Sequence, residues 1–463
     1  MFKKLVLTVC TCLSGGWMLF SQNFAGDWAG KLNIQGTSLN VVFHVMNEGN
    51  TWKAKMDSPD QQVFDIPIEK VAVENGKLLI GVPAMRVTYE AKLTDSDSLK
   101  GEFKQGDFVT ILSMGRMSDP QSLRPKRPQE PKPKFDYTIR DVEFKNEQAG
   151  ITLAGTLTVP KGKGPFPAVI LVSGSGPQDR NEEILGHKPF WVIADYFAKN
   201  GIAVLRYDDR GVGGSKGNFE KATTLDFTSD AEAAFSFLRK QKSINSSKTG
   251  VIGHSEGGMV APLLASKVKE VAFIVLLAGP GIPIDQLMLI QIRLVNEAMD
   301  KSKEETEEDV AMNKMFYEIL LRQLDNKLAK QEIDDAIRQS NAGKADADKM
   351  SDREAMAVIN EMTSPWFRYF ISYNPATVLE KVSCPILAVN GTKDIQVTAS
   401  ENLDGIRQAA ERSGNKNVEV HAMENLNHLM QTAKTGSISE YSQLEETFAP
   451  SVLQMMTEWI KKQ

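Results

Sequence analysis

Apolar and polar positions follow two different patterns along the chain, with the change at a proline-rich stretch. Within residues 26–115, short runs such as 39–45 alternate in part between apolar and polar side chains. Turn-forming residues such as Asn75-Gly76 separate these runs. A period of two between turn signals is typical of half-buried antiparallel strands. We therefore predict a small all-β domain over residues 23–118, arranged as an antiparallel meander or half-barrel.

Strand-like and helix-like segments alternate in the rest of the chain. Residues 168–172 are all apolar, which is typical of a parallel strand that is buried on both faces. Similar runs at 203–207 and 385–389 are separated by segments in which apolar residues recur at helical spacing. This alternation predicts an α/β domain over residues 137–463, with a mostly parallel central sheet flanked by helices.

Residues 281–375 interrupt this alternation with a helical, strongly charged segment, and we predict that they form a helical cap. The charged run 303–309 is interpreted as a solvated helix face. Methionine recurs in the segment, and we favour ordinary packing between helices as its role. The alternative is a pliable lid over an acyl pocket, because methionine side chains adapt to varied apolar shapes. The methionines concerned are Met288, Met299, Met312, Met315, Met350, Met356 and Met362.

Two segments are predicted to lie outside both domains. Prolines fall repeatedly among charged and polar residues in the first of them, which predicts a semi-rigid, extended linker over residues 119–136. Residues 1–22 have a basic start, Lys3-Lys4, followed by a short apolar run. This is the pattern of a secretory signal peptide, so we expect an exported protein, periplasmic or secreted. The apolar run is too short and too interrupted to form a stable membrane anchor.

Composition restricts the classes of function. The 463 residues are 41% apolar and 24% charged, as in soluble globular proteins, and the length predicts two or three domains. A net charge of −5 gives no basis for binding nucleic acid or an anionic membrane. Once the predicted signal peptide is removed, Cys384 is the sole cysteine. Neither an intramolecular disulfide nor a cysteine-type zinc site is therefore expected.

The stretch Gly253-His254-Ser255-Glu256-Gly257 has the pattern Gly-x-Ser-x-Gly between an apolar strand and an apolar helix. A sharp strand–turn–helix places the serine in an unusual backbone conformation, and the flanking glycines leave room for the tight turn. The positive end of the following helix then faces an oxyanion that forms at the serine. We predict that Ser255 is a catalytic nucleophile.

A serine nucleophile needs a base, and the base needs an acid that orients it. Asp394 lies in the turn after the apolar strand at 385–389. Of the five histidines in the chain, His428 alone lies in the loop that follows the last predicted strand. We therefore predict a catalytic triad of Ser255, His428 and Asp394. The alternative for Asp394 is a turn-capping role.

An oxyanion hole needs two backbone N–H donors. Glu256, the residue after the nucleophile, is predicted to supply one of them. The second should come from the loop 173–180, which follows the first central strand. Ser175 is our prediction for that donor, with Gly176 as the next candidate.

Residues 137–463 resemble the α/β-hydrolase superfamily, in the branch of serine esterases and serine aminopeptidase-like hydrolases. The order of nucleophile, acid and base along the chain is that of the superfamily, and the loops at 173–180 and 206–215 match its motifs. Together with the signal peptide, β-domain and linker, the chain is similar to secreted bacterial carboxylesterases. The usual His-Gly of the oxyanion loop is replaced by Ser173-Gly174.

The resemblance implies an α/β-hydrolase fold with a helical cap, preceded by a small all-β domain. It also implies a serine carboxylic ester hydrolase (EC 3.1.1) that forms an acyl-enzyme on a small or medium acyl ester and needs no metal or cofactor. Two alternatives stay open: an aminopeptidase-like serine peptidase, and an acetyl or feruloyl esterase that acts on polysaccharide. In the last case the aromatic residues Trp28, Trp52 and Tyr89 would bind carbohydrate, although core packing is the simpler role. A non-catalytic binding protein is disfavoured because the triad is complete.

Overall fold

The computed structural model describes residues 23–34, 37–49, 51–61, 63–106, 108–123, 126–344 and 349–463. The predicted signal peptide, residues 1–22, lies outside the described residues. The chain divides into two compact units, residues 1–124 and 125–463, here called the N-terminal unit and the C-terminal unit. Across the ranges that the model describes, no helix is both long enough and apolar enough to cross a lipid bilayer.

The N-terminal unit is a nine-stranded antiparallel sheet with the order β4-β3-β2-β1-β9-β8-β7-β6-β5. Its edge strands, β4 and β5, are consecutive in sequence, so the order is that of an up-and-down barrel opened between them. This agrees with the predicted all-β meander or half-barrel. The strands are β1 (Gly26–Ile34), β2 (Thr37–Glu48), β3 (Thr51–Ser58), β4 (Val63–Pro67), β5 (Lys70–Glu74), β6 (Lys77–Val82), β7 (Val87–Asp95), β8 (Ser98–Gln105) and β9 (Phe108–Met117).

Alternating apolar side chains of these strands form one core on the inner face of the sheet. Trp28 and Tyr89 are fully buried there. The Trp28 indole donates to the Phe24 carbonyl at 2.9 Å, and the Tyr89 hydroxyl donates to the Leu112 carbonyl at 3.1 Å. Trp52 packs partly buried against the same core. These aromatic residues therefore serve core packing, and Trp28 and Tyr89 offer no exposed face to a sugar.

The C-terminal unit contains an eight-stranded sheet with the order β10-β11-β13-β12-β14-β15-β16-β17. Strands β10 and β11 are antiparallel to their neighbours, and the remaining pairs are parallel. The strands are β10 (Tyr137–Asn146), β11 (Ile151–Pro160), β12 (Phe166–Val172), β13 (Ala203–Tyr207), β14 (Ile244–His254), β15 (Ile274–Leu277), β16 (Ile386–Gly391) and β17 (Val418–Met423).

Helices connect the parallel strands and cover both faces of the sheet. The helices are α1 (Pro189–Lys199), α2 (Thr224–Arg239), α3 (Gly257–Lys267), α4 (Ile284–Ala298), α5 (Lys303–Arg322), α6 (Asn326–Asn341), α7 (Asp352–Met362), α8 (Pro365–Ser372), α9 (Pro375–Leu379), α10 (Ala399–Ser413), α11 (Ile438–Tyr441) and α12 (Pro450–Lys462). Successive residues of β12 point to opposite faces: Ile170 packs in the core beneath α2, α3 and α10, and Val169 packs in the core beneath α1 and α12. Burial on both faces explains why these strands are continuously apolar.

Helices α4 to α9 fill the interval between β15 and β16 and form the predicted cap. Their apolar sides share a core with Met259 and Leu263 of α3. At the start of the charged α5, Ser302 and Glu305 form a reciprocal capping box, and most of the acidic residues that follow are exposed. The methionines divide between roles. Four pack on the cap core, and one of these, Met288, also lines the cavity described below. The other three, Met299, Met315 and Met356, are exposed.

The predicted linker, residues 119–136, is only partly a spacer, because its second half is bonded to the C-terminal unit. The Arg127 guanidinium donates to four backbone carbonyls in two loops, 185–186 and 442–444. The Gln129 side-chain oxygen accepts the backbone N–H groups of Thr447 and Phe448 at 2.6 and 3.0 Å. Proline spacing predicted no helix or sheet in this segment, but the structure has a short 3₁₀ helix at Pro120–Leu123. The spacing also could not reveal the side-chain anchors.

Candidate active site

Ser255 lies in the turn between β14 and α3, with a backbone φ of 52°. This left-handed conformation is rare for residues other than glycine and indicates a strained turn. A Cβ on Gly253 would lie 1.9 Å from the carbonyl oxygen of Gly257, and a Cβ on Gly257 would lie 2.2 Å from the carbonyl oxygen of Val172. The two glycines are therefore required by close backbone approach, as the sequence pattern predicts.

Asp394 and His428 are brought together at the same edge of the sheet, after β16 and β17. The His428 Nδ1 atom lies 2.8 Å from Asp394 Oδ2, and both side chains are buried. The other carboxylate oxygen, Oδ1, accepts the backbone N–H groups of Gln396 and Val397 at 2.8 and 2.9 Å. Asp394 is thus fixed by its own turn and presents one oxygen to the imidazole, so turn capping and the predicted orienting role are compatible.

Ser255 and His428 line a common cavity of about 260 Å³ beneath the cap. One wall is apolar, with Leu287 and Met288 from α4 and the rings of Trp366 and Phe370 from α8. The two rings are stacked with their centroids 4.9 Å apart. Glutamine side chains from three different segments add neutral polar groups: Gln178, Gln291 and Gln396. The sequence predicted a cap over the serine but not which of its side chains reach the cavity.

Ser175 and Glu256, the predicted oxyanion donors, line the same cavity as Ser255. Across the described ranges, the backbone N–H groups of Ser175 and Glu256 donate to no other residue. The Gly174 N–H, in contrast, donates to Glu182 Oε1 at 2.7 Å and is already engaged. Ser175 lines the cavity, whereas the next candidate, Gly176, is not among its lining residues. Two residues of the cavity lining that contains Ser255 thus have unengaged backbone N–H groups, as an oxyanion hole needs.

The side chain of Glu256 is buried, with 3% of the residue exposed. Its carboxylate accepts the Thr224 hydroxyl at 2.7 Å and the Trp366 indole N–H at 3.0 Å. Burial raises the pKa of the Glu256 carboxyl above its ordinary value, although the hydroxyl and indole donors oppose the change. The residue whose amide is a predicted oxyanion donor therefore also links the elbow to the cap helix α8.

Two residues at the site were not recognised from sequence. His254, next to the nucleophile, lies between Glu182 and the loop of His428, and Glu182 lies in the loop after β12. The position of His254 inside the elbow was a signal that could have drawn attention to it. Glu182 carries no such signal, because its contacts depend on the folding of a loop.

The turn after β13 braces the oxyanion loop. The Arg180 guanidinium forms a bidentate pair with Asp208, with N–O distances of 2.9 and 2.7 Å. Asp209 accepts the Ser173 hydroxyl and the Gln178 backbone N–H, both at 3.0 Å. Arg210 pairs with the buried Asp230 of α2 at 2.7 Å. These charged side chains hold loops beside the elbow and are not among the residues that line the cavity.

Comparison with known proteins shows the family to which the chain is related. The family model described as X-Pro dipeptidyl-peptidase (S15 family) matches residues 149–423. Esterase EstD of Thermotoga maritima is 26% identical over 315 residues, which cover 67% of each chain.

Solved structures of similar fold include the esterase PF2001 of Pyrococcus furiosus, with a TM-score of 0.43 and 17% identity over 73% of this chain and 96% of its own. The α/β hydrolase GrgF from Penicillium sp. sh18 has a TM-score of 0.43 and 20% identity over 70% of this chain and 98% of its own. The predicted α/β-hydrolase fold and the esterase and aminopeptidase-like branch are confirmed by the sheet order and the family match. Since the family model covers more than half of its residues, the chain belongs to the X-Pro dipeptidyl-peptidase (S15) family.

Proposed function

We propose that the protein is a serine carboxylesterase that acts through an acyl-enzyme on small or medium acyl esters. The cavity beside Ser255 supports this proposal, because its apolar wall suits an acyl group and its glutamines are neutral. The similarity to esterase EstD also supports it.

The choice of an ester rather than a peptide substrate rests on one observation: the carboxylates that line the cavity already have hydrogen-bond donors. Glu182 and Glu256 are the acidic residues among its described lining, and both are already bonded. Glu182 Oε1 accepts from Gly174 and His254, and Glu256 accepts from Thr224 and Trp366. A peptidase that binds the α-amino group of its substrate needs an acidic group free to pair with that ammonium, because an unpaired buried charge is costly.

In the proposed mechanism the Ser255 Oγ attacks the ester carbonyl carbon while His428 Nε2 takes the hydroxyl proton. Asp394, bonded to Nδ1, fixes the tautomer of the ring and stabilises its protonated form. The N–H groups of Glu256 and Ser175 receive the negative charge that develops on the carbonyl oxygen. His428 then protonates the leaving alcohol, and the acyl–Oγ ester remains. A water molecule, deprotonated by His428, releases the acid and restores Ser255.

The second candidate is a dipeptidyl-peptidase, because the family that contains this chain is described by that activity. The same serine, histidine and aspartate would cleave an amide, and only the recognition of the substrate would differ. The two candidates therefore require a direct comparison of esters and anilides.

We predict that the purified protein hydrolyses p-nitrophenyl esters and that Ser255→Ala lowers kcat by at least about 10⁴-fold, as expected for loss of the nucleophile. The assay uses a series of acyl chain lengths beside aminoacyl and X-Pro p-nitroanilides. Ester turnover with little anilide turnover is the expected result.

Cleavage of X-Pro anilides without cleavage of esters would overturn the ester proposal and favour the peptidase. Ester turnover that persists in Ser255→Ala would overturn the proposed nucleophile. A circular dichroism spectrum of the variant that matches the wild type shows that the loss of activity is not a loss of fold.

A further inference from the structure

Both ring nitrogens of His254 face hydrogen-bond acceptors. Nδ1 lies 2.8 Å from Glu182 Oε1, and Nε2 lies 3.0 Å from the backbone carbonyl oxygen of His428. A carbonyl oxygen can only accept, so Nε2 carries a proton. Glu182 Oε1 also receives the Gly174 N–H at 2.7 Å, and such a bond stabilises an ionised carboxylate. The proton between Oε1 and Nδ1 is therefore placed on nitrogen, which makes the ring an imidazolium.

These bonds connect three parts of the catalytic machinery. Glu182 holds Gly174, the residue before the proposed oxyanion donor Ser175. His254 immediately precedes the nucleophile, and it holds the backbone of His428, the proposed base. All of this occurs in a buried region, since Glu182, His254 and His428 are 4%, 6% and 5% exposed. The rings of His254 and His428 are also close, with centroids 4.9 Å apart.

We propose that His254 and Glu182 form a buried imidazolium–carboxylate pair that positions the oxyanion loop and the catalytic base relative to the nucleophile. Neither residue is assigned contact with the reacting atoms, so both are positioning residues. The inference rests on the proposed hydrolysis at Ser255 and holds equally for an ester or an amide substrate. Loss of Glu182 removes its bonds to Gly174 and to His254, and loss of His254 removes its bonds to Glu182 and to the His428 carbonyl.

The charged and titratable groups that face His254 favour its protonated form. Glu182 lies in the loop after β12, Asp394 in the turn after β16, and His428 in the loop after β17. Burial is the largest single effect and works against the charged ring, but the Glu182 carboxylate, the His428 carbonyl and Asp394 together raise the pKa of His254 above its ordinary value. A raised histidine pKa gives a contribution that is complete below about pH 6.5 and is lost as the pH rises through the folded-state pKa. The positioning effect should therefore fail on the alkaline side.

Kinetics of three variants test the positioning role. We expect Glu182→Gln and His254→Gln each to lower kcat by about 10- to 100-fold, because small displacements of catalytic groups have effects of this size. KM should change by less than about threefold, since the acyl wall is untouched. The double variant should be no slower than the slower single variant, because both substitutions disable one unit.

His44→Gln is the matched control. His44 also lies between two carboxylates, with Nδ1 2.6 Å from Asp27 and Nε2 3.0 Å from Asp57, but it belongs to the N-terminal unit. The kcat of His44→Gln should equal that of the wild type.

Rates are normalised to the active fraction by titration with a fluorophosphonate, so a partly unfolded variant is not mistaken for a mispositioned one. If the pair had a purely structural role, Glu182→Gln would lower the active fraction but leave the alkaline limb of the pH–kcat profile unmoved. The proposal instead requires this limb to move to lower pH in Glu182→Gln.

The protonation state is measured directly by ¹⁵N NMR of histidine-labelled full-length protein, in which five histidines are present. At about pH 7.5, where an ordinary histidine is mostly neutral, His254 should carry two ring protons in the wild type and one in Glu182→Gln. The His254→Gln variant assigns the signal. A singly protonated His254 in the wild type, or variants with wild-type kcat, would overturn the inference. An enzyme that cleaves neither esters nor anilides would overturn the proposed function instead, and the NMR result would still be readable.

Discussion

At the level of single residues, the backbone of Ser255 lies in the left-handed region, with a φ of 52°, which is unfavourable for a residue other than glycine. It is held there by its own N–H, which donates to the Leu277 carbonyl of the neighbouring strand at 2.9 Å, and by the two glycines that allow the close turn. The side chain of Asp394 is also held in one orientation, because three donors bond its two oxygens. Each reactive group is thus held in place by the ends of the sheet strands before a substrate arrives.

Asp209 leads to a prediction about pH. Burial raises the pKa of its carboxyl group to about 8, even though Ser173 and Gln178 donate to it. In the unfolded chain an aspartate has a pKa near 3.9. The folded protein therefore binds one more proton between these values, and the free energy of unfolding falls as the pH rises from about 4 to about 8.

Asp209→Asn removes this titration and should flatten the dependence of the melting temperature on pH between about 5 and 8. Differential scanning calorimetry at several pH values measures the melting temperatures of the wild type and the variant. Asp404→Asn, a change of the same charge at an exposed position on α10, is the control and should keep the wild-type slope. Parallel slopes for the wild type and Asp209→Asn would contradict the raised pKa.

At the level of elements, helix α8 links the cap to the elbow. The Trp366 indole N–H donates to the buried Glu256 carboxylate at 3.0 Å, and its ring stacks on Phe370 at the cavity wall. Glu256 begins the turn into α3, so a cap side chain is bonded to the residue next to Ser255, the proposed nucleophile. A movement of α8 would therefore disturb the same residue that supplies a proposed oxyanion donor.

A double-mutant cycle measures this link. Trp366→Phe leaves a buried carboxylate with one donor fewer, and we expect a loss of about 1–3 kcal/mol in the free energy of unfolding of the C-terminal unit. In the background of Glu256→Gln the same change should cost less, so the coupling energy should exceed about 0.5 kcal/mol. Chemical denaturation followed by tryptophan fluorescence and circular dichroism gives the four values. Additive effects would show that the bond contributes nothing to the docking of α8.

At the level of the whole molecule, the two units have separate apolar cores. The core of the N-terminal unit uses residues between 24 and 114, and the three cores of the C-terminal unit use residues from 142 onward. Each unit thus meets the main requirement for folding alone. The anchored residues Arg127 and Gln129 place the start of the C-terminal unit before its first strand.

We predict that residues 125–463 fold alone and hydrolyse small esters with a kcat within about twofold of the full chain. A truncation that begins at residue 137 should melt roughly 5 °C lower, because it loses the Arg127 and Gln129 bonds to two loops. Calorimetry and ester kinetics on both fragments test this. Equal melting temperatures would mean that the anchors add no stability, and an inactive 125–463 fragment with native circular dichroism would mean that catalysis needs the N-terminal unit.

Local signals explain which parts of the site could be predicted. The Gly-x-Ser-x-Gly pattern, the apolar parallel strands and the polar residues at their ends are encoded within short stretches. These signals therefore predict Ser255, Asp394 and His428 without any knowledge of their contacts. Glu182 and Trp366 could not be predicted in the same way. Their roles depend on contacts with His254 and Glu256 that join residues 72 and 110 positions apart.

The sequence by itself determined the order of elements and the division into an all-β and an α/β part, and it predicted which side chains react, because backbone turns and strand burial impose residue types locally. The tertiary structure alone decided which charges are free and which are engaged. Glu182, Glu256 and Arg127 are ordinary charged residues in the sequence, and their function follows from burial and from the acceptors and donors that distant loops bring to them.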